Sequence, residues 1–216
     1  TSHEIRTPLN GIIGTCELLK RARLSHEEKA QVETILRCAE GLLLLINDIL
    51  DLSKIEAGQL NLSTDRFKIA DVIQNVIDLS NPFAISKNLL LTSVVDPEIP
   101  EIVSDQFRIQ QVIINLVNNA LKFTEVGSVK VEAFTKGRHL VIHVIDTGIG
   151  IQAGKIDGLF KPFIQIDTGI ARKHEGTGLG LSISKKLMTM LGGSISIESE
   201  PEKGSTFSIE LPFGKT

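Results

Sequence analysis

SHEEKAQVETILRCAEGLLLLINDILDLSKIEAG, residues 25–58, decides the architecture. It opens on the S-x-x-E form of a capping box, in which the Ser25 hydroxyl and the Glu28 carboxylate satisfy orphan backbone donors, so a helix starts there. Val32, Ile35, Ala39, Leu42, Ile46 and Ile49 then step by threes and fours, and Leu36, Leu43 and Leu50 form a second stripe seven residues apart. To Lys54 this helix is roughly 29 residues and ~44 Å long. Two apolar stripes are more than one partner helix can cover. Upstream, Ile5, Leu9, Ile12, Cys16 and Leu19 step 4-3-4-3 before a break at 21–24, which is the a/d stripe of a second helix. A helical hairpin with so broad an apolar face is best buried by a second copy of itself, so a homodimer joined as a four-helix bundle is expected. The first helix, about 20 residues or ~30 Å, is shorter than its partner, and the natural chain is expected to extend upstream of Thr1.

Beyond Ile55-Glu56-Ala57-Gly58 the pattern changes to alternating strands and helices, with Gly58 as helix terminator and hinge. Two domains are expected, 1–56 and 57–216, in an α+β arrangement. Strands are predicted at 89–95, 128–135, 140–145, 194–198 and 206–211, and helices at 69–79, 105–122 and 181–191. Between Gly150 and Gly176 no regular element is evident, and a loop that long inside a compact domain reads as a lid or as a disordered stretch.

With 216 residues, 42% hydrophobic and 23% charged, the chain has enough apolar material for real cores and too much for a disordered region. A net charge of −3, with nine Phe but no Trp or Tyr to stack bases, argues against nucleic acid as a partner. The longest apolar run, Leu42 to Ile46, is far below the ~20 residues of a bilayer-spanning helix, so no direct membrane insertion by this segment is expected. Cys16 and Cys38 offer no disulfide framework and read as reduced thiols of a cytoplasmic protein.

Three stretches could carry chemistry. In the helix from Asp105 to Lys122, Ile109, Val112, Ile113, Leu116, Val117 and Ala120 form one face, while Arg108, Gln111, Asn115, Asn119 and Lys122 line the other. Asparagine is a poor helix former, so this stripe is either a solvated face or a row of amides and a cation lining a phosphate site, one amide on a hard Mg2+. Asp146-Thr147-Gly148-Ile149-Gly150 follows an apolar strand; it is a tight turn, or an acid that accepts from an exocyclic amine beside glycines that admit a flat ligand. Gly176 to Ser182 runs into a helix whose N-terminal N–H groups favour an anion, although neither a Walker A loop nor a full GxGxxG is present. Ahead of that run, Arg172-Lys173-His174 is a basic segment able to gather around phosphates. At the N-terminus, Ser2-His3-Glu4 places a histidine beside an acid. His3, Glu4 and Thr7 fall at heptad positions facing water if the helix runs through Pro8, whereas Thr7 as N-cap would leave His3 in a loop.

SHEIRTPLNG (2–11), NLVNNALKFT (115–124), DTGIG (146–150), LFKPF (159–163) and GTGLGL (176–181), in this order, resemble the phosphoacceptor, asparagine, glycine and phenylalanine motifs of two-component sensor histidine kinases, particularly hybrid-type sensors. The resemblance implies a dimerisation and phosphoacceptor hairpin followed by a Bergerat-type ATP-binding sandwich. It implies that His3 is autophosphorylated, with Glu4 as its general base and Thr7 supporting dephosphorylation of a partner. Asn119 would ligate Mg2+, Asn115 and Lys122 would lie near the phosphates of ATP, and Asp146 would accept from the adenine amine. Gly148, Gly150, Gly176, Gly178 and Gly180 would shape the pocket and its lid, with Thr177, Leu179, Arg172 and the LFKPF residues Phe160 and Phe163 beside them. The partner implied is a receiver domain, in a response regulator or the same polypeptide, and the segment would be the cytoplasmic part of a longer sensor. An ATP-gated dimer-clamp ATPase and a non-catalytic ATP-binding scaffold are the rival readings.

Overall fold

The computed structural model describes residues 2–164 and 177–213, and the side chains of Ser2 and His3 lie outside that description. The chain divides into two compact units, Thr1–Leu60 and Asn61–Thr216.

The first unit is a helical hairpin of α1 (Ser2–Lys20) and α2 (His26–Glu56). Both halves of the capping box form: Ser25 N–H donates to Glu28 Oε2 at 2.7 Å and Glu28 N–H to Ser25 Oγ at 3.3 Å. The Ser25 backbone donor, followed by its hydroxyl, holds the Glu28 carboxyl below its ordinary range. At the other end Gln59 N–H reaches Lys54 O and Gly58 N–H reaches Ile55 O, a Schellman closure that needs the left-handed φ of +64° adopted by Gly58. Helix α1 runs through Pro8, so Thr7 is not its N-cap and the Glu4 carbonyl receives no N–H from Pro8.

The hairpin divides each apolar stripe of the sequence. Leu9, Cys16, Val32, Leu36 and Ala39 are buried, with Ile13 and Leu24 packed against the Cys16, Val32 and Leu36 cluster. Ile5, Ile12 and Leu19 on α1, and Ile35, Leu42 and Ile49 on α2, each seven residues apart, remain 41% to 50% exposed. One neighbouring helix covers one side of an a/d stripe and leaves the other side bare.

The second unit is an α/β sandwich. Strands β2 (Leu90–Val95), β4 (Ser128–Lys136), β5 (His139–Asp146), β6 (Ser194–Glu200) and β7 (Gly204–Pro212) form a sheet in the order β2-β4-β5-β7-β6, with β2 parallel to β4 and the other pairs antiparallel. Helices α3 (Ile69–Ser86), α4 (Gln106–Phe123) and α6 (Gly180–Met190) pack on it and on one another. Along β4, Val129, Val131 and Ala133 are buried while Lys130 and Glu132 alternate with them and pair as ions, which is the period-2 signature of a sheet covered on one face. Ile109, Val112, Ile113, Leu116, Val117 and Leu121 of α4 are fully buried, each side chain contributing about 1.5–3 kcal/mol.

Three features depart from the sequence expectations. Helix α3 continues past Leu79 through Pro82 to Ser86, its apolar face carried on by Ala84. A two-stranded antiparallel sheet joins β1 (Asp65–Phe67) to β3 (Ile102–Ser104), strands of three residues that are too short to show an alternation. Within the expected lid, α5 (Ala153–Ile156) forms one turn of helix.

Candidate functional site

Strand β5 ends on Asp146, whose carboxylate is buried at 6% exposure. Gly148 N–H and Ser205 N–H both donate to Oδ1, at 2.8 and 3.2 Å, which leaves Oδ2 as the oxygen with capacity for a further donor. Burial raises the Asp146 pKa above its ordinary value, opposed by the bonds from Gly148 and Ser205. The loop is fixed by backbone: Ile149 N–H reaches Phe123 O at 3.4 Å and Glu202 N–H reaches Ile149 O at 2.8 Å. A Cβ on Gly148 would lie 2.5 Å from Phe123 O, and one on Gly150, at φ +63°, would overlap Glu200 O. Ser199 Oγ accepts from Ile151 N–H at 2.8 Å and lies 3.0 Å from Ser205 Oγ, tying the loop to the β6–β7 hairpin.

The polar stripe of α4 separates into distinct roles. Its N-cap Asp105 accepts from Arg108 N–H through Oδ1 and from Ser63 N–H through Oδ2, and the Arg108 guanidinium donates to Gln111 Oε1 at 2.8 Å. Asn115 Nδ2 donates to Ser184 Oγ at 2.9 Å, and its Oδ1 sits where a Cβ on Gly180 would be, so it joins α4 to the first turn of α6. The half-buried Asn119 amide, one turn on, makes no hydrogen bond among the described residues. Lys122 lies 5.0 Å from the Phe123 ring centroid, and burial lowers its pKa.

Helix α6 begins at Gly180 with Leu179 as N-cap, and among the described residues no side chain caps it, so its first N–H groups stand at the positive end of the helix dipole. Leu179 is fully buried, its N–H donating to Thr177 Oγ1 at 3.1 Å. Phe163 N–H donates to Gly178 O at 3.0 Å; Phe163 itself stands at φ +62° with its ring exposed, and Phe160 is faced by Lys185 Nζ at 5.3 Å from its ring centroid. Arg172 and Gly176, with the basic Lys173 and His174, lie outside the described residues. On α1, Glu4 and Thr7 are exposed, and the helical backbone at His3 places Thr7 one turn along the same face.

Gly148 and Ile149 thus meet the C-terminal end of α4, Gly150 meets the β6–β7 hairpin, and Asn115 with Gly180 brings in α6. Three contributors were missed in the sequence: Ser205, Ser199 and Lys87, whose ammonium holds carbonyls at the end of α4. Each acts through a partner at least 34 residues away in the chain, apart from the contacts of Ser199 with Gly204 and Ser205 within one hairpin. A divalent cation fits the site through Asn119 only in one way. No cluster of three or more His, Cys, Asp or Glu able to hold a metal exists among the described residues. One uncommitted amide oxygen plus waters and ligand phosphates is the coordination Mg2+ accepts.

These features define a nucleotide-binding sandwich carried behind a phosphoacceptor-type hairpin. The chain belongs to the histidine kinase-, DNA gyrase B- and HSP90-like ATPase family, which it matches over residues 104–215, and residues 1–58 match the His Kinase A (phospho-acceptor) domain. It shares this pair of domains with two-component sensor histidine kinases. Among its relatives, the autoinducer 2 sensor kinase/phosphatase LuxQ of Vibrio harveyi is 40% identical over 98% of this chain. This chain spans about a quarter of LuxQ, 25% of its length. Full-length ShkA, solved in complex with AMPPNP, superposes over 100% of this chain and 45% of its own with a TM-score of 0.84 at 32% identity. ThkA, solved in complex with the response regulator protein TrrA, aligns over 98% of this chain and 59% of its own with a TM-score of 0.69 at 26% identity. No helix among the described residues is long and apolar enough to cross a membrane.

Proposed function

We propose that this chain binds ATP with Mg2+ in the sandwich, transfers the γ-phosphoryl group to a ring nitrogen of His3, and passes it to an aspartate of a receiver domain. The observation that carries this is the unbroken course of α1 through Pro8, which sets His3, Glu4 and Thr7 on one phosphoacceptor-type helix in the same chain as the nucleotide site.

Neutral imidazole is the nucleophile, as its ordinary pKa near ~6.5 allows at pH 7. Its lone pair forms the N–P bond as the bond from phosphorus to the β,γ-bridging oxygen breaks, and ADP leaves with that electron pair. Glu4 holds the other ring N–H, fixing the tautomer and balancing the charge that develops on the ring. At the sandwich, Asp146 Oδ2 accepts from the adenine amine while Gly148 and Ser205 hold Oδ1. The uncapped N-terminus of α6 and Lys122 face the phosphates. Mg2+ bound at Asn119 would neutralise phosphate charge. Buried Leu179 anchors the glycine turn that feeds α6. Gly58 is the hinge that lets His3 reach the nucleotide. The exposed stripes Ile5, Ile12, Leu19 and Ile35, Leu42, Ile49 support a homodimer closing a four-helix bundle. Thr7, one turn from His3, would orient the water that hydrolyses a receiver's aspartyl phosphate, a role supported by the kinase/phosphatase name of LuxQ.

Incubation with γ-labelled ATP separates this reading from its rivals: a kinase labels itself with acid-labile, base-stable phosphate, a clamp ATPase releases phosphate only, and a scaffold does neither. His3→Gln should abolish labelling and leave nucleotide binding intact. Undiminished label on the His3→Gln protein would show that the acceptor lies elsewhere.

A further inference from the structure

Lys87 is the C-cap of α3, its own N–H donating to Phe83 O and Ala84 O. Its side chain turns to a different helix. Nζ donates to Leu121 O at 2.6 Å, Lys122 O at 3.0 Å and Thr124 O at 2.7 Å, while the Phe83 ring centroid stands 5.7 Å away. Helix α4 ends at Phe123, so Leu121 and Lys122 are among the last four residues, whose carbonyls have no partner within the helix. The rest of that account closes without Lys87: Ala120 O takes Thr124 N–H and Oγ1, and Phe123 O takes Ile149 N–H. A cation at a helix C-terminus also lies at the negative end of the helix dipole. An ammonium has three donors and all three are in use, so Lys87 has none to offer a phosphate.

We propose that Lys87 is a positioning residue for nucleotide binding: by clamping the carbonyls of Leu121, Lys122 and Thr124 it fixes the last turn of α4 and so the placement of Asn119 and Lys122. The inference rests on the nucleotide site proposed above. It predicts an asymmetric effect, because the adenine end is held by other means. Asp146 Oδ1 is gripped by Ser205 N–H from β7 as well as by Gly148 N–H, and the loop that carries Gly148 touches the end of α4 at Phe123 O, which Lys87 does not hold. Removing the ammonium takes this donor from the Leu121, Lys122 and Thr124 carbonyls at once, loosening the end of the helix that bears the phosphate-side residues.

The experiment compares Lys87→Met, which keeps the stem and removes the ammonium, with Lys87→Arg, which keeps charge and donors, in the full 216-residue chain. Displacement of a fluorescent nucleotide analogue gives the Kd of ATP with Mg2+ and of adenosine, at a temperature where a thermal melt shows each protein folded. Failure of the unsubstituted chain to bind ATP would refute the nucleotide site itself, separately from Lys87. With binding established, Lys87→Met should weaken Mg2+-ATP at least tenfold and adenosine less than threefold, and Lys87→Arg should return Mg2+-ATP to within threefold of the unsubstituted chain. Unchanged Mg2+-ATP affinity in the Met variant, an equal loss for adenosine, or an Arg variant as weak as Met would each overturn the proposal. Should Lys87→Met not fold, Lys87→Gln, with two neutral donors, is read by the same criteria.

Discussion

Asp146→Asn separates binding from stability in opposite directions. The asparagine is isosteric, and its amide oxygen can keep both bonds that Oδ1 now accepts, from Gly148 N–H at 2.8 Å and Ser205 N–H at 3.2 Å. Its NH2 group then replaces Oδ2 and turns a donor toward the adenine amine, itself a donor. One hydrogen bond to a charged group is lost, worth about 1.5–3 kcal/mol, or roughly 10- to 150-fold in Kd. Stability moves the other way. Because burial raises the Asp146 pKa in the folded state, the folded protein binds this proton more tightly than the unfolded chain does, and the fold loses stability as pH rises from the ordinary value through the raised one. At pH 7 the ionised carboxylate is therefore a burden that a neutral amide lacks, so the variant should melt at the same temperature or higher. Nucleotide affinity of the unsubstituted chain should decline as pH falls through the raised Asp146 pKa, while that of the variant should stay flat in the same window. A titration with a fluorescent nucleotide analogue, needed because the chain has no Trp or Tyr, reads the first effect, and circular dichroism melts read the second. A Kd within threefold of the unsubstituted value, or a lowered melting temperature accompanying the weaker binding, would refute the assignment of Asp146 to adenine.

Asn119→Ala should remove the Mg2+ dependence of ATP affinity, measured by titration with and without the metal, and should not lower the melting temperature, since alanine is the better helix former by about 0.5 kcal/mol; persistence of the dependence would exclude Asn119 as the ligand. Ile12→Glu, on the exposed stripe of α1, should weaken self-association about 100-fold or more by sedimentation, because the symmetric contact carries the change twice at about 1.5–3 kcal/mol each. A dimer of unchanged strength would place the interface elsewhere. Thr7→Ala should slow dephosphorylation of a phosphorylated receiver far more than labelling of His3; equal loss of both together with thermal stability would make Thr7 structural.

The elements that sequence periodicity resolved are those whose burial is decided locally. Along β4 and α4 each side chain's face follows from its own position in the repeat, and Val129, Val131, Ile109 and Leu116 lie inside as their spacing requires. The Ser25 capping box and the Gly58 terminator are also local, closed by partners within five residues. What escaped is set by pairing across the chain. Ser205 faces Asp146 only because β5 and β7 are neighbours in that register, 59 residues apart. Asp105, expected as the first residue of the helix, is its N-cap through Arg108 N–H, and nothing in the sequence shows that its second oxygen takes Ser63 N–H, 42 residues away. Likewise Asn115 and Asn119 are indistinguishable in a polar stripe until α6 arrives beside the first and occupies its amide.

That difference between two asparagines explains the composition of α4. Its apolar face is buried in the sandwich, its N-cap is fastened through Asp105 to Ser63, and its last carbonyls are taken by Lys87, Thr124 and Ile149. A helix fixed at both ends and along one side does not need high propensity on its remaining face, because tertiary packing supplies most of the stability of such a helix. Poor helix formers are therefore tolerated there at a few tenths of a kcal/mol each, well below what one buried apolar side chain contributes. Asn115 returns that deficit through its bond to Ser184, whereas Asn119 has no return among the described residues. An amide kept on a helix at a loss to the fold, beside Lys122 and one turn of α4 from the contact with α6, is what the proposed use of its oxygen by a ligand would account for.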